Sequence, residues 1–316
     1  MARATRATWD WEGRIGRRVR LRDLHVLSAV ARWGSMAKAA SHLAMSQSAV
    51  SEAIAGLEDA LRVRLLDRSP QGVEPTIYAD ALLKRGHVVF DELRQGIKDI
   101  EFLSEPTKGE VSVACPEMLS AGLLPATIDR LSRRHPGIVV RVAQMDTTNV
   151  EFRELRDRKV DFIFARIPRT FADSAFDIEI LLDDPLFVVA GAHSPWVRRR
   201  KITLAELVNE PWIFPPNYVA MAYMKEAFEA SDLATPPERV CAASILLRNQ
   251  LLVTGRFLTM LPASVLRYTA KQWSLRSLPI DLRIEPWPIA ILKLRNRTLS
   301  PVSELFIEHL RVVAKS

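Results

Sequence analysis

Residues Gly34–Arg68 read GSMAKAASHLAMSQSAVSEAIAGLEDALRVRLLDR, and their spacing decides how the rest of the chain is read. Ser35 is placed to cap a short helix whose apolar positions are Met36, Ala39, Ala40 and Leu43. Ser46 then caps a second helix, with Val50, Ile54, Leu57 and Leu61 at i, i+4, i+7 and i+11 on one face. Between Leu43 and Ser46 there is room only for a tight turn. Two short helices joined this way must cross, forming a helix-turn-helix.

The outer face of the second helix carries Gln47, Ser48, Ser51, Glu52 and Ala55, all short and none of them Lys or Arg. Such a face suits a helix lying in a DNA major groove, where Gln bonds an adenine edge and Ser a base or a phosphate. On spacing alone, an ordinary helical hairpin with a polar outer face fits as well.

A longer ordered pattern separates the two. Leu21, Leu24 and Leu27 lead into Gly34-Ser35, Ala39-Ala40, Leu43, Ser46-Gln47, Ala49-Val50-Ser51, Ile54, Leu57-Glu58, Leu61, Leu65-Leu66 and Arg68, then Gly72, Val73 and Thr76. This series resembles the winged helix-turn-helix of LysR-type transcriptional regulators. The resemblance implies double-stranded DNA as a partner, with Ser35, Ser46, Gln47, Ser48, Ser51, Arg64, Arg68 and Thr76 as the candidate DNA-binding residues.

Composition agrees with a folded, multidomain chain. Its 316 residues leave room for two or three domains. Apolar residues make up 48% and charged residues 26%, which argues against disorder. The net charge of +7 permits a polyanionic partner without requiring one. The excess is uneven, since seven Arg stand against Asp10 and Glu12 within residues 1–22. Only Cys115 and Cys241 occur, far apart, so neither a disulfide framework nor a zinc site is expected. With no secretory signal and no membrane-spanning run, the expected location is cytoplasmic, without membrane association.

Taken from the start, residues 1–20 read as a basic extension, either a solvated tail or a loose arm on DNA phosphates. The resembled family usually begins near Leu21. Residues 21–76 form the expected winged domain. Val63–Arg68 and Val73–Pro75 are the wing strands, joined by the turn Ser69-Pro70-Gln71-Gly72. Many relatives carry a basic wing tip where this chain has Pro70 and Gln71. Arg62 stands where a Gly is common.

Residues 77–105 read as one long helix. Leu83, Phe90 and Ile97 recur every seven residues, with Ala79, Gly86, Leu93 and Ile100 between them, a seam suited to pairing with another helix. In the resembled family this helix makes a dimer, so a homodimer or homotetramer is implied. Glu105–Gly109 reads as a hinge.

Residues 110–316 alternate strand and helix, starting with the strand Glu110–Cys115 and the helix Leu119–Arg134. That alternation predicts a parallel sheet covered by helices. Landmarks such as Leu123-Leu124-Pro125, Val160-Asp161-Phe162, Pro211-Trp212 and Met260-Leu261-Pro262 resemble the LysR-type effector domain. The Trp-Ile-Phe-Pro-Pro stretch and Leu299-Ser300-Pro301 look most like the galactose-binding-protein and protocatechuate-pathway regulators. The implied fold has two lobes resembling periplasmic binding proteins. Lobe I would be about 110–185 plus 289–316, and lobe II about 186–288. The whole is an α+β multidomain chain: winged helix-turn-helix, linker helix and two-lobed α/β effector domain.

Ligands of open α/β sheets bind beyond the carboxyl ends of the strands, where helix N-termini offer free amides. Those ends give Cys115, Glu117, Met118, Thr147, Thr148, Arg166, Pro216, Asn217 and Ser244 as the candidate effector-binding residues. Thr147 and Thr148 suit a carboxylate and Arg166 offers a countercharge, whereas Glu117 would repel an anion unless it points away. Cys115 precedes a helix N-terminus that would lower its pKa. No phosphate-loop, dinucleotide, metalloprotease or nucleophile-elbow motif occurs, so no catalytic residue, metal ligand or cofactor is expected. The expected function is a sequence-specific, effector-modulated DNA-binding regulator, with RNA polymerase a further partner. The alternative is a solute-binding receptor-like protein with an accessory N-terminal helical domain.

Overall fold

The computed structural model describes residues 16–69, 72–145, 151–216 and 218–315. Residues 1–15, Pro70, Gln71, Thr147, Thr148 and Asn217 lie outside the described residues. Contacts divide the chain into two compact units, 1–94 and 95–316, whose boundary falls within one helix.

In the first unit a short turn of helix, α1 (Gly16–Arg18), precedes α2 (Leu21–Trp33), α3 (Met36–His42) and α4 (Gln47–Leu61). The Ser35 hydroxyl accepts from the Lys38 N–H and the Ser46 hydroxyl from the Ala49 N–H, so both expected caps are present. Leu27, Val30, Ala39, Val50, Ile54 and Leu57 are fully buried where the three helices meet. The wing is the hairpin β1 (Leu66–Ser69) and β2 (Gly72–Pro75). Its attachment depends on glycine. The Gly34 carbonyl accepts the Val73 N–H at 2.9 Å. Gly72, at φ +142°, lies so close that a Cβ would sit 2.9 Å from that same oxygen. Glu58 on α4 accepts the Leu65 and Leu66 N–H groups and so holds the base of the wing.

Helix α5 (Ile77–Ser104) divides the expected seam. Ala79 and Gly86 are buried, Leu82 and Leu83 pack on the first unit's core, and Phe90 stands edge-on to His25 at 5.9 Å. These positions serve the chain's own packing. Val89, Leu93 and Ile97, at i, i+4 and i+8, stay exposed together with Ile100.

In the second unit, lobe I contains β3 (Lys108–Cys115), α6 (Glu117–Ser120), α7 (Leu123–Arg134), β4 (Gly137–Gln144), α8 (Arg153–Arg156), β5 (Phe162–Arg166) and β6 (Phe176–Asp184). Strand β3 begins inside the expected hinge. Gly109 there holds φ +148°, and a Cβ would meet Val302 at 2.5 Å, so this glycine serves close packing. Lobe II follows with β7 (Leu186–Gly191), β8 (Ile213–Phe214), α9 (Tyr218–Glu229), β9 (Val240–Cys241), α10 (Ile245–Val253), β10 (Leu258–Pro262), α11 (Ala263–Thr269) and β11 (Leu275–Ser277). The chain then returns to lobe I as β12 (Trp287–Leu294) and α12 (Pro301–Lys315).

The lobe I sheet has the order β4-β3-β5-β12-β6. Strand β3 runs parallel to β4 and β5, but β12 is antiparallel to both β5 and β6. The expected all-parallel sheet is therefore corrected to a mixed one. A strand returning from lobe II enters at the end where its neighbours finish, so it must run against them. Lobe II is antiparallel in β10-β7-β11, with the short parallel pair β8-β9 joined through the Trp212–Leu258 bridge.

Beneath lobe I, buried Asp161 accepts from the Ser112 N–H at 2.8 Å. It also receives Gln95 Nε2, Lys98 Nζ and Arg297 Nη2, each at 3.4 Å. Gln95 and Lys98 lie on α5, so the last turns of that helix are fastened to the sheet.

Candidate functional site

On α4 the buried residues Val50, Ile54, Leu57 and Ala60 define the inner face. Gln47, Ser48, Glu52 and Ala55 are exposed opposite them, and Ser51 is half-buried. The Ser46 hydroxyl is also 2.9 Å from that of Ser48, which sets the start of this face. The helix thus presents an uncharged first turn, the end whose free amides attract phosphate, with Glu52 following on the same face.

The other candidates divide by what their polar atoms already do. Arg64 and Arg68 are exposed beside and on β1. Ser35 and Ser46 cap helices with their hydroxyls. Thr76 is further committed: its hydroxyl donates to the Arg64 carbonyl at 2.8 Å and accepts the Ala79 N–H at 3.4 Å. It caps α5 and closes the wing. Lys38, exposed on α3, is an added cation that the pattern reading passed over because it falls outside the apolar repeat.

The second unit holds a cavity of about 630 Å³ where β3, β4 and β5 end against lobe II. Met118, Met145, Met224, Met260 and Leu186 form part of its apolar wall. Tyr223 and Trp287 stack at 4.3 Å with planes 16° apart, forming an aromatic side. The Tyr223 hydroxyl donates to the Glu285 carbonyl at 2.7 Å and accepts the Trp287 N–H at 3.1 Å. The aromatic side is thereby fixed to the segment that crosses between the lobes. Size and lining suit a small organic ligand.

Among the candidates, Glu117, Met118, Arg166 and Pro216 line this cavity. Cys115 does not. It is packed in the core of lobe I with Leu119, Leu123 and Phe162. Burial without a nearby cation pushes its thiol up to about 12, the reverse of the expected lowering. Ser244 caps α10 by accepting the Leu247 N–H at 3.3 Å. Arg166 lies 3.3 Å from Asp184 Oδ2 and donates to the Asp184 carbonyl at 2.9 Å. Burial lowers its pKa and raises that of Asp184, while their mutual attraction opposes both shifts. Asp184 also accepts from the Ser264 N–H and hydroxyl, at 2.8 Å each. The expected countercharge of Arg166 is therefore largely answered within the protein.

Two features of the cavity were not foreseen. Arg248, on α10, is 1% exposed and lines the wall. Glu117 reaches from lobe I to α10, where its Oε1 accepts the Ile245 N–H at 3.1 Å. The sequence signal for the first is a charged residue four positions after the cap Ser244 in the largely apolar run ILLRNQLLV.

Comparison with known proteins covers both units. The family model described as "LysR substrate binding domain" matches residues 104–315. The model described as "Bacterial regulatory helix-turn-helix protein, lysR family" matches residues 21–80. Among curated relatives, the HTH-type transcriptional regulator GbpR of Azospirillum brasilense is 26% identical over 94% of this chain and 87% of its own length. The transcriptional dual regulator GltC of Bacillus subtilis is 25% identical over 83% of this chain and 86% of its own. Full-length OxyR from Pseudomonas aeruginosa has a similar fold, with a TM-score of 0.61 at 20% identity over 94% of this chain and 95% of that one. Full-length CbnR, solved in complex with its target DNA, gives a TM-score of 0.53 at 22% identity over 94% and 100%.

Proposed function

The chain belongs to the LysR family of DNA-binding transcriptional regulators, and on that premise we propose how its parts divide the work. It is a regulator with an effector-binding domain and not an enzyme. The matched helix-turn-helix domain leaves no place for the receptor-like alternative. In our reading α4 enters the major groove with Gln47, Ser48 and Ser51 toward base edges. Arg64, Arg68 and Lys38 meet phosphates, and the capping hydroxyls of Ser35, Ser46 and Thr76 hold the reading surface in shape.

The observation that carries this reading is the exposed Gln47–Ser48 edge opposite the fully buried Val50–Ile54–Leu57 face. A relative solved on its target DNA shares the fold. The exposed stripe Val89–Leu93–Ile97 on α5 supports pairing of two copies, as a homodimer or within a homotetramer. Pairing would present two recognition helices to half-sites about one helical turn, or a multiple, apart. Among the described residues no helix is long and apolar enough to cross a membrane. We place the protein in the cytoplasm, with promoter DNA and RNA polymerase, and assign it no cofactor. A small-molecule effector in the 630 Å³ cavity shifts the balance between lobe arrangements and so alters DNA binding.

The test is selection of binding sites by the full chain from a pool of random duplexes. Enrichment of a two-fold symmetric site, with affinity falling steeply as salt rises, is the expected result. Equal binding to every duplex would remove sequence-specific regulation.

A further inference from the structure

The charges around the cavity are unevenly matched. Arg248 Nη2 donates to Thr259 Oγ1 at 2.7 Å and to the Met260 carbonyl at 3.3 Å, both neutral acceptors. Its Nε is shut off from solvent and has no hydrogen-bond partner among the described residues. Burial lowers this guanidinium's pKa to about 10, and the through-space charge of Glu117 is what chiefly opposes that. A buried cation in this state is unfavourable unless an anion answers it.

Arg248 and Ala243, which line the same wall, flank the first turn of α10, a nine-residue helix. Ser244 takes the Leu247 N–H there, and Glu117, arriving from the other lobe, takes the Ile245 N–H. A carboxylate of the protein thus sits where a helix N-terminus would receive a foreign anion.

We propose that Glu117 is an internal stand-in for the effector's anionic group, and that the effector is a singly charged organic anion with an apolar body. This rests on the reading of the cavity as the effector site. The anionic head binds Arg248 and the α10 N-terminus, displacing Glu117. The apolar body lies along the methionine wall and the Tyr223–Trp287 stack. Displacement breaks a hydrogen bond that ties lobe I to lobe II, so binding and lobe movement are one event.

Inorganic sulfate is the first probe, read by thermal shift on the full chain against chloride at matched ionic strength. Glu117→Ala vacates the stand-in position and is expected to be stabilised saturably, at about tenfold lower sulfate than wild type. Glu117→Gln, which keeps an acceptor for Ile245 but no charge, is expected to fall between. Adding Arg248→Met to either variant is expected to abolish the effect. Equal sulfate response in wild type and both Glu117 variants would overturn the proposal, as would a response that survives loss of Arg248.

Octanoate and octanol, matched in body but not in charge, form the second arm. Stabilisation by octanoate alone, tighter in Glu117→Ala, is expected. Equal stabilisation by both, indifferent to Glu117 and Arg248, would keep the cavity as a ligand site and overturn the anion proposal. A sulfate effect in Glu117→Ala, with operator affinity unmoved by octanoate at saturation, would keep the stand-in and remove the cavity as the regulatory site.

Discussion

Arg62 shows how much one residue's backbone angle matters. It caps α4 at φ +56°, in the left-handed region that a side chain with a Cβ enters at a cost of about 1–2 kcal/mol. The sequence singled out Arg62 only as standing where Gly is common; the helix end explains why. Arg62→Gly is expected to raise unfolding free energy by about 1 kcal/mol, the relief of strain exceeding the entropy that glycine adds to the unfolded chain. Urea denaturation checks it, and a lower midpoint would mean the arginine side chain more than repays its strain. Gln47, exposed at the first position of α4, carries the matching prediction for recognition. Gln47→Ala is expected to cost about 1–3 kcal/mol of discrimination at one base pair per half-site. Unchanged preference in a repeat of the site selection would transfer that role elsewhere on the face.

At the scale of elements, helix α12 buries His309 on lobe I with its ring 6.0 Å from that of His135. Burial lowers its pKa from 6.5, and Arg130, Arg134 and His135 add to the shift, with Glu308 opposing. In the unfolded chain the imidazole takes up its proton at higher pH than in the folded one. Stability from this group is therefore full above about pH 6.5 and is lost as pH falls through the lower folded value. His309→Gln is expected to flatten the decline in urea midpoint between about pH 7.5 and 5.5. A decline as steep as wild type would show that other groups govern it.

Elements also show what could be read in advance. Helix α10 is legible in the sequence, because Ser244 caps it and the apolar run that follows spans Ile245–Val253. Strand β6 was missed. Its exposed positions Asp177, Ile180 and Asp183 do not alternate with buried ones, because the pairing with β12 is irregular between Ile180 and Leu182. Glu179 is answered by Arg311 at 2.6 Å, a partner 132 residues away, with the charge of Lys293 adding to the attraction. Helix α4 was legible because its caps and its buried face are set by local spacing. The cavity was legible only in part, because Glu117, Arg166 and Arg248 acquire their roles from Ile245, Asp184 and Thr259, partners that no local spacing connects.

For the whole molecule, the stripe on α5 is the feature with the widest reach. Leu93 and Ile97 are 47% and 57% exposed, and covering the exposed part of each with a second copy contributes about 1 kcal/mol. Leu93→Glu with Ile97→Glu is expected to lower the oligomeric state by at least one step in sedimentation velocity. Affinity for a paired site should fall toward that for a single half-site. Retention of the wild-type mass would place the pairing surface elsewhere.

Asp161 gives this arrangement a mechanical meaning. Ser112 and Arg297 hold it within lobe I while Gln95 and Lys98 clamp the tail of α5 to the same carboxylate, out of water. A helix end moored to its sheet in this way takes its bearing from that sheet, and any turn of the sheet would be handed on at Gln95 and Lys98.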